Sequence, residues 1–246
     1  MSAYTALARF YDALTGDVPY RALAEAYEDY LRRPGREAMT LLDLCCGTGT
    51  LTCLLAGRGH ELIGVDASPE MLSVAREKAE RIPAAVTPLF LCQEAAELDL
   101  YGTVEGAYCC LDGMNYLPPE TLPALFNRLH LFIEPGGRFA FDIQSPERLR
   151  SLDGETFVDE DEGLLCLWRA AFDGEENALV YGMDIFRREK TALWRRETEE
   201  HVEYAHKPET LRALLERAGF SEVRIVADGV GGEQGRVFLI AENLEH

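Results

Sequence analysis

Short runs of apolar residues recur along this chain, and segments whose apolar positions have helical spacing separate them. Runs such as residues 62–65 and 139–141 are typical of strands buried on both faces of a parallel sheet. After Ser68, which suits a helix cap, Pro69 occupies a first-turn position and no breaker follows until about Arg81. The pattern therefore predicts buried strands that alternate with helices.

The same reasoning gives boundaries for most of the chain. It predicts two helices within residues 2–31 and further helices at 50–56, 68–81, 120–132 and 208–218. It predicts strands at 39–44, 62–65, 86–91, 106–110, 138–143, 223–226 and 237–241. Elements in this order are typical of an α/β fold.

One region departs from this alternation. Between Ser145 and Tyr204 the chain becomes acidic, and apolar and polar residues alternate with a period of two. This pattern predicts a three-stranded antiparallel insert. We therefore divide the chain into a main domain, residues 1–145 and 206–243, and an insert, residues 146–205, that covers the main domain as a lid.

The stretch from residue 39 to residue 66 has the form of strand, glycine turn, helix and second strand. The turn reads Asp43-Leu44-Cys45-Cys46-Gly47-Thr48-Gly49, and the second strand ends on Asp66. In nucleoside-binding α/β units, a carboxylate at that strand end accepts hydrogen bonds from ribose hydroxyls. The stretch is therefore a candidate nucleoside site.

Two classes of cofactor use this geometry. A dinucleotide fold requires a third glycine where this chain has Thr52, and Asp43 would repel a pyrophosphate. Asp43 instead suits a ligand that carries an ammonium group, which favours S-adenosylmethionine. A nucleotide-dependent oxidoreductase is the less favoured enzyme class.

On these residues, the run from Leu41 to Ala79 resembles the first two motifs of the class I S-adenosylmethionine-dependent methyltransferases. The family pattern is acidic-x-Gly-x-Gly-x-Gly, and this chain departs from it at Cys45, where small residues are often accepted. The resemblance implies a Rossmann-like three-layer αβα sandwich. Its sheet would have seven strands, mostly parallel, with the last strand antiparallel.

Two further motifs are similar to those of a group of small bacterial methyltransferases in this family. Phe10-Tyr11-Asp12-x-Leu14 resembles a helix that closes over the cofactor, and Asp112-x-x-Asn115-Tyr116-Leu117 resembles a loop that borders the methyl donor. The implied cofactor is S-adenosylmethionine. The implied cofactor-binding residues are Tyr11, Asp43, Cys45, Cys46, Gly47, Gly49, Asp66, Ala67, Met71, Gln93, Glu94, Ala95 and Leu111.

Several of these roles have structural alternatives. In the family pattern, Met71 points toward the adenine, Glu94 accepts from the adenine amino group and the backbone of Ala95 reaches the ring. Glu94 could equally be a solvated loop acid. Tyr11 either reaches the cofactor or packs within an amphipathic helix, and Asp43 either faces the ammonium group or holds the glycine turn.

Methyl transfer from a sulfonium places few demands on side chains. The methyl group is already electrophilic, so the protein must align a nucleophile and exclude water, and a base is needed only for a protonated acceptor. The sequence identifies no catalytic residue; the candidates are Asp112 and Tyr11, with Asp142, His201 and His206 as further candidate bases. The charged neighbours of His201 predict that it is exposed, and no metal-ligand spacing is present.

The amino-acid composition of the chain limits the kinds of molecule that it is expected to bind. The net charge of −19, from 43 acidic and 24 basic residues, repels phosphate backbones and disfavours a nucleic-acid substrate. The seven cysteines have neither disulfide-framework nor metal spacing, which predicts buried reduced thiols in the cytoplasm. No apolar run approaches the length of a membrane span, so no membrane partner is expected.

The sequence thus predicts S-adenosylmethionine-dependent methyl transfer to a small-molecule acceptor by a monomer or homodimer. The alternative from another class is a catalytically silent module that binds S-adenosylmethionine or a protein. The donor site is better defined by the sequence than the acceptor site, so the acceptor is not identified.

Overall fold

The computed structural model describes residues 7–35, 37–161, 163–189, 193–227 and 234–244. Residues 2–6 of the first predicted helix lie outside this part of the chain. The strands are β1 (Thr40–Leu44), β2 (Glu61–Asp66), β3 (Leu89–Cys92), β4 (Val104–Cys109), β5 (Ile133–Gln144), β6 (Thr156–Asp161), β7 (Leu164–Asp173), β8 (Ala178–Arg188), β9 (Trp194–Tyr204), β10 (Ser221–Ala227) and β11 (Arg236–Asn243). The α-helices are α1 (Tyr11–Leu14), α2 (Tyr20–Leu31), α3 (Thr50–Gly57), α4 (Pro69–Ala79), α5 (Leu122–Phe132), α6 (Pro146–Ser151) and α7 (Pro208–Ala218).

The main sheet has seven strands in the order β10-β11-β5-β4-β1-β2-β3. Strands β1 to β5 pair in parallel, whereas β11 is antiparallel to both β5 and β10. This topology confirms the Rossmann-like fold and the antiparallel last strand. The predicted helix start is also confirmed, because the Ser68 side chain accepts a hydrogen bond from the Met71 amide at 3.2 Å.

Alternate residues of the central strands serve opposite layers of the sandwich. Leu42 and Leu44 lie in a core cluster with residues of α5 and α7. Leu41, which precedes Leu42, lies in the second cluster, with residues of α2 and α3. Because both faces of the sheet are covered, its central strands are mostly apolar, as is typical of a doubly covered parallel sheet.

Residues 133–137, which precede the predicted strand at 138–143, belong to β5 in the structure. β5 pairs with β4 at Val104–Ile133 and again at Gly106–Arg138, so the intervening residues form an irregular bulge. Gly136 has a φ of +76°, and a Cβ on Gly137 would lie 2.7 Å from a backbone oxygen. Both positions therefore require glycine.

The insert contains four strands, so the prediction of three was wrong. β6, β7, β8 and β9 form a second, antiparallel sheet, which we call the insert sheet. The missed strand, β6, is mostly exposed and includes Asp159, Glu160 and Asp161. An edge strand without a buried face shows no alternation, and charges on it prevent pairing with other chains.

The N-terminal segment joins the insert sheet to the main domain. Leu7 is buried with Leu164, Cys166, Met183 and Ile185 of the insert sheet, and Phe10, Tyr11, Leu14 and Trp168 pack against this cluster. On the other side, Asp12 forms an ion pair with Lys78 of α4 at 2.7 Å. The amphipathic pattern of this segment thus reflects contacts with the insert sheet. The division into a main domain and an insert at residues 146–205 stays a prediction.

Candidate functional site

A cavity of about 330 Å³ lies at the carboxyl ends of the parallel strands, where open α/β sheets bind ligands. Every predicted cofactor residue except Gly49 lines it. The other lining residues are Tyr20, Thr48, Thr50, Leu51, Val65, Ser68, Cys110, Gly113, Tyr116 and Leu117. The structure therefore brings residues from three separate predicted motifs, at the first, second and third strand ends, around one space.

Asp66 is held rigidly at the end of β2. Its Oδ2 accepts from the Gly47 amide at 2.8 Å, and its Oδ1 accepts from the Ser68 amide at 2.9 Å. Burial raises the pKa of Asp66, and these two hydrogen bonds oppose that shift. Each carboxylate oxygen has more than one lone-pair direction, so both remain able to accept from a neighbouring pair of hydroxyls.

Asp43 is almost fully buried at the base of the cavity. The hydroxyl of Thr52 donates to its Oδ2 at 2.5 Å. Burial raises the pKa of Asp43 to about 7, although the Thr52 hydrogen bond acts in the opposite direction. Thr52, which occupies the position of the third glycine of a dinucleotide-binding motif, is therefore the hydrogen-bond partner of Asp43.

The glycine turn depends on left-handed backbone conformations. Cys45 and Gly47 have φ of +56° and +54°, so the cysteine adopts a conformation that glycine adopts without strain. Gly49, at φ +68°, does not line the cavity; a Cβ there would lie 3.0 Å from Ala75 and 3.1 Å from Phe90. Glycine is favoured there by the left-handed φ and also by the close packing against α4 and β3.

Two further left-handed residues, Leu111 and Asp112, have φ of +56° and +55°. Asp142 holds this strained pair, because its two oxygens accept the Leu111 amide at 2.9 Å and the Asp112 amide at 3.0 Å. The Tyr27 hydroxyl also donates to Asp142 at 2.6 Å, and Arg236 forms an ion pair with it. Asp142 is fully buried with these partners, so it is not available as a base.

The remaining residues of the Asp112–Leu117 motif connect the main sheet to the insert. The Asn115 amide group donates to the carbonyls of Gln144 at 3.2 Å and Tyr204 at 2.9 Å. Its oxygen accepts from the Gln144 amide at 2.9 Å. Asn115 is fully buried, so this motif is explained by anchoring as well as by its position beside the cavity.

The candidate bases have different surroundings from those expected. His201 is 1% exposed and lies 3.0 Å from Glu199, so its predicted exposure was wrong. The charged face of β9 points toward the N-terminal segment, where Glu199 accepts from the Leu7 amide at 3.3 Å. His206 contacts the Leu117 carbonyl at 3.0 Å, and burial lowers its pKa.

Of the two named catalytic candidates, only Tyr11 lines the cavity. Burial raises the pKa of Tyr11 well above its ordinary value, so its hydroxyl stays protonated at neutral pH. Asp112 lies outside the cavity wall and pairs with Arg236 at 3.0 Å. Arg236 was missed because it lies more than 90 residues from Asp142 in sequence, and no local pattern connects the two.

Other site types are not indicated in the described part of the chain. There, no group of three or more His, Cys, Asp or Glu side chains could hold a metal ion. None of the described helices is long and apolar enough to cross a membrane. All seven cysteines are free thiols, although Cys92 is exposed and only Cys53, Cys109 and Cys166 are fully buried.

Comparisons with known proteins agree with this geometry. The model of a family described as "Methyltransferase domain" matches residues 41–137. A 2-phytyl-1,4-naphtoquinone methyltransferase of Thermosynechococcus vestitus is 34% identical over 80% of this chain and 77% of its own length. YqeM, a proposed methyltransferase of Bacillus subtilis, is 29% identical over 92% of this chain and 89% of its own length.

A comparison with a solved structure also agrees with the geometry of the fold and the cavity. An S-adenosylmethionine-dependent methyltransferase from Clostridium acetobutylicum has a TM-score of 0.80 at 26% identity, and the match covers 99% of this chain and 100% of that one. The similarity therefore includes the insert sheet and the N-terminal segment as well as the cavity.

Proposed function

Because this chain belongs to the class I S-adenosylmethionine-dependent methyltransferases, we propose that it methylates a small-molecule acceptor bound between the cavity and the insert sheet. The cofactor supplies an electrophilic methyl group when it is bound. The protein then has to hold the cofactor, place the acceptor beside it and exclude water. The Cys110–Leu117 segment carries this proposal, because it lines the cavity and also contacts the insert sheet.

The residues around the cavity suit the two ends of the cofactor. We assign Asp66 to the ribose hydroxyls and Asp43 to the ammonium group, and we assign Met71, Glu94 and Ala95 to the adenine. Tyr11 would cover the bound cofactor from the N-terminal segment. A volume of about 330 Å³ is within the range of small-molecule pockets.

A small-molecule acceptor is supported by three observations. The relative from Thermosynechococcus vestitus is named for a small quinone. The net charge of −19 disfavours a nucleic acid. The insert sheet lies beside the cavity and could enclose a small acceptor. A catalytically silent module is the less favoured alternative.

The direct test is formation of S-adenosylhomocysteine by this protein with a metabolite extract. Product should accumulate with extract and not without it. A cavity that binds the cofactor tightly but yields no product with any extract would favour the silent module.

Asp66→Ala is expected to weaken S-adenosylmethionine binding by about one to two decades, as calorimetry would measure. Loss of hydrogen bonds to a charged acceptor typically costs roughly 1.5 to 3 kcal/mol, which corresponds to this range. The Gly47 and Ser68 amides also lose their acceptor. The matched control is Glu61→Ala, at the exposed opposite end of β2. Equal affinities of the two variants for S-adenosylmethionine would show that Asp66 does not bind the cofactor.

Asp43 is expected to release a proton when the cofactor binds. Its pKa of about 7 leaves it largely protonated below pH 7, and a neighbouring ammonium group would lower that pKa and drive the proton off. Calorimetry at pH 6.5 in buffers of different ionisation enthalpy measures this release.

Adenosine, which has no ammonium group, should bind without proton release, and Asp43→Asn should abolish the release for S-adenosylmethionine. The same variant should weaken S-adenosylmethionine more than adenosine. Equal losses for both ligands would instead restrict Asp43 to holding the glycine turn through Thr52.

A further inference from the structure

A buried carboxyl group on the insert sheet is connected to the cavity by one side chain. Glu203 of β9 is 4% exposed, and its Oε2 has no hydrogen-bond partner among the described residues. The Tyr116 hydroxyl donates a hydrogen bond to the Glu203 carboxylate. Tyr116 also lines the cavity, so a proton could pass from the cavity to Glu203 through this hydroxyl.

Negative charge exceeds positive charge around this carboxyl group. Arg236 lies 3.0 Å from Asp112 and also pairs with Asp142. An ionised Glu203 would therefore place three carboxylates around one guanidinium. Burial and then the charge of Asp112 raise the pKa of Glu203 to about 8, and Arg236 opposes the shift. A cation bound in the adjoining cavity would offset this excess of negative charge.

Aromatic rings border the same place. Tyr181 pairs in register with His201, and the two share a face of the insert sheet with Glu203. The ring centroids of His201 and Tyr116 are 6.1 Å apart, as are those of Trp168 and Tyr181. Rings beside buried carboxylates are a favourable setting for an ammonium group.

We propose that Tyr116 and Glu203 form a proton relay that serves an amine acceptor; this proposal rests on the methyl transfer proposed above. An alkylamine arrives mainly as the ammonium ion, which has no lone pair for attack. The ammonium proton passes to the Tyr116 oxygen as the Tyr116 proton passes to Glu203. The free amine nitrogen then forms a bond to the methyl carbon while the carbon–sulfur bond breaks.

The charges balance in this sequence. The products are a methylated ammonium ion and a neutral thioether, and Glu203 holds the proton removed from the substrate until it returns to solvent. Tyr116 is the catalytic residue, because it faces the acceptor. Glu203 acts through Tyr116 and is therefore a positioning residue that stores the proton.

The first experiment identifies the atom that is methylated. The wild-type protein is incubated with S-adenosylmethionine carrying a trideuterated methyl group and a panel of small amines, alcohols, phenols, thiols and carboxylic acids, and products are identified by mass spectrometry. Labelled amines are expected. Labelling confined to oxygen, sulfur or carbon would overturn the relay and leave methyl transfer standing, whereas no labelling in the panel or in a metabolite extract would contradict the proposed function itself.

The second experiment uses the amine that is labelled. Tyr116→Phe and Glu203→Gln are each expected to lower kcat at pH 7 by about 100-fold, the lower end of the effect of general bases. The loss should shrink as the pH rises above the pKa of the amine. In the wild type, kcat/KM should rise through pH 8 as Glu203 of the free enzyme ionises, and this limb of the pH profile should be absent from both variants.

Two matched variants serve as controls. The controls are Glu200→Gln and Tyr204→Phe. Glu200 is exposed on the face of β9 opposite to Glu203, and Tyr204, which follows Glu203 in sequence, also lies on that opposite face. Neither should change the pH profile. Profiles that are parallel in the wild type, Tyr116→Phe and Glu203→Gln would overturn the relay, because a purely structural role changes the rate at every pH alike.

A measurement on the resting protein tests Glu203 separately from activity. Infrared difference spectra between pH 7 and pH 9 are recorded in an Asp43→Asn background, because Asp43 also titrates near pH 7, and they should show loss of a protonated carboxyl band. Glu203→Gln should lack that band, and Glu200→Gln should retain it. An unchanged band in Glu203→Gln would show that Glu203 does not titrate in this range and would contradict the relay.

Discussion

Asp142→Ala is expected to lower the free energy of unfolding by about 3 to 5 kcal/mol, the usual cost of removing one partner of a buried ion pair. The change leaves the Arg236 guanidinium buried beside Asp112 alone. It also removes the acceptor of the Leu111 and Asp112 amides, which hold a strained backbone. Urea titration at pH 7, followed by circular dichroism, measures the effect.

Graded variants separate the contributions at this position. Tyr27→Phe removes one hydroxyl donor and should cost about 1 kcal/mol. Asp29→Ala, an exposed aspartate on the same helix as Tyr27, should change stability by no more than about 0.5 kcal/mol. If Asp142→Ala were as stable as Asp29→Ala, Asp142 would not be the residue that holds the strained pair.

Replacement of residues 151–204 by a short flexible linker is expected to abolish methyl transfer while cofactor binding persists. Nearly all residues assigned to the cofactor belong to the parallel strand ends, and only Tyr11 packs against the insert sheet. Without that sheet, the acceptor would lose one wall and water would enter. Calorimetry with S-adenosylmethionine and product formation measure the two functions separately.

The linker variant also loses the Asn115–Tyr204 hydrogen bond, so circular dichroism must show that it folds. Trp168→Ala is a milder variant that removes one ring from the inner face of the insert sheet. It should raise the KM of the acceptor and leave cofactor affinity unchanged. Methyl transfer at the full rate by a folded linker variant would contradict the lid role and assign the insert sheet to another interface.

The sequence predicted the cofactor half of the fold because local rules there agree with one another. Buried strands, a serine cap and left-handed turn residues each leave a local pattern, and β1, β2 and α4 lie close to their predicted bounds. Gly49 has a left-handed φ as well, but it packs against Ala75 and Phe90 and does not border the cavity. A motif match alone does not separate a packing glycine from one that borders a ligand.

The insert was harder to predict for a physical reason. A strand whose buried face meets hydrogen-bonding groups of other segments can carry charged residues on that face, and Glu199, His201 and Glu203 are buried or half-buried in this way. Alternation identified the strand but assigned its charged face to solvent. The partners that explain the burial, the Leu7 amide and Tyr116, are distant in sequence. Only the three-dimensional arrangement reveals them.

The N-terminal cover of the cavity has kinetic consequences. Asp12 is attached by the Thr48 hydroxyl at 2.6 Å and Lys78 at 2.7 Å, and the Leu7 amide donates to Glu199. A terminal segment with few hydrogen bonds to its surroundings opens at a free energy well below that of global unfolding. We therefore expect that release of this segment, with both sheets intact, would be sufficient for exchange of spent cofactor. Turnover would then be limited by the residence time of the product beneath residues 7–14.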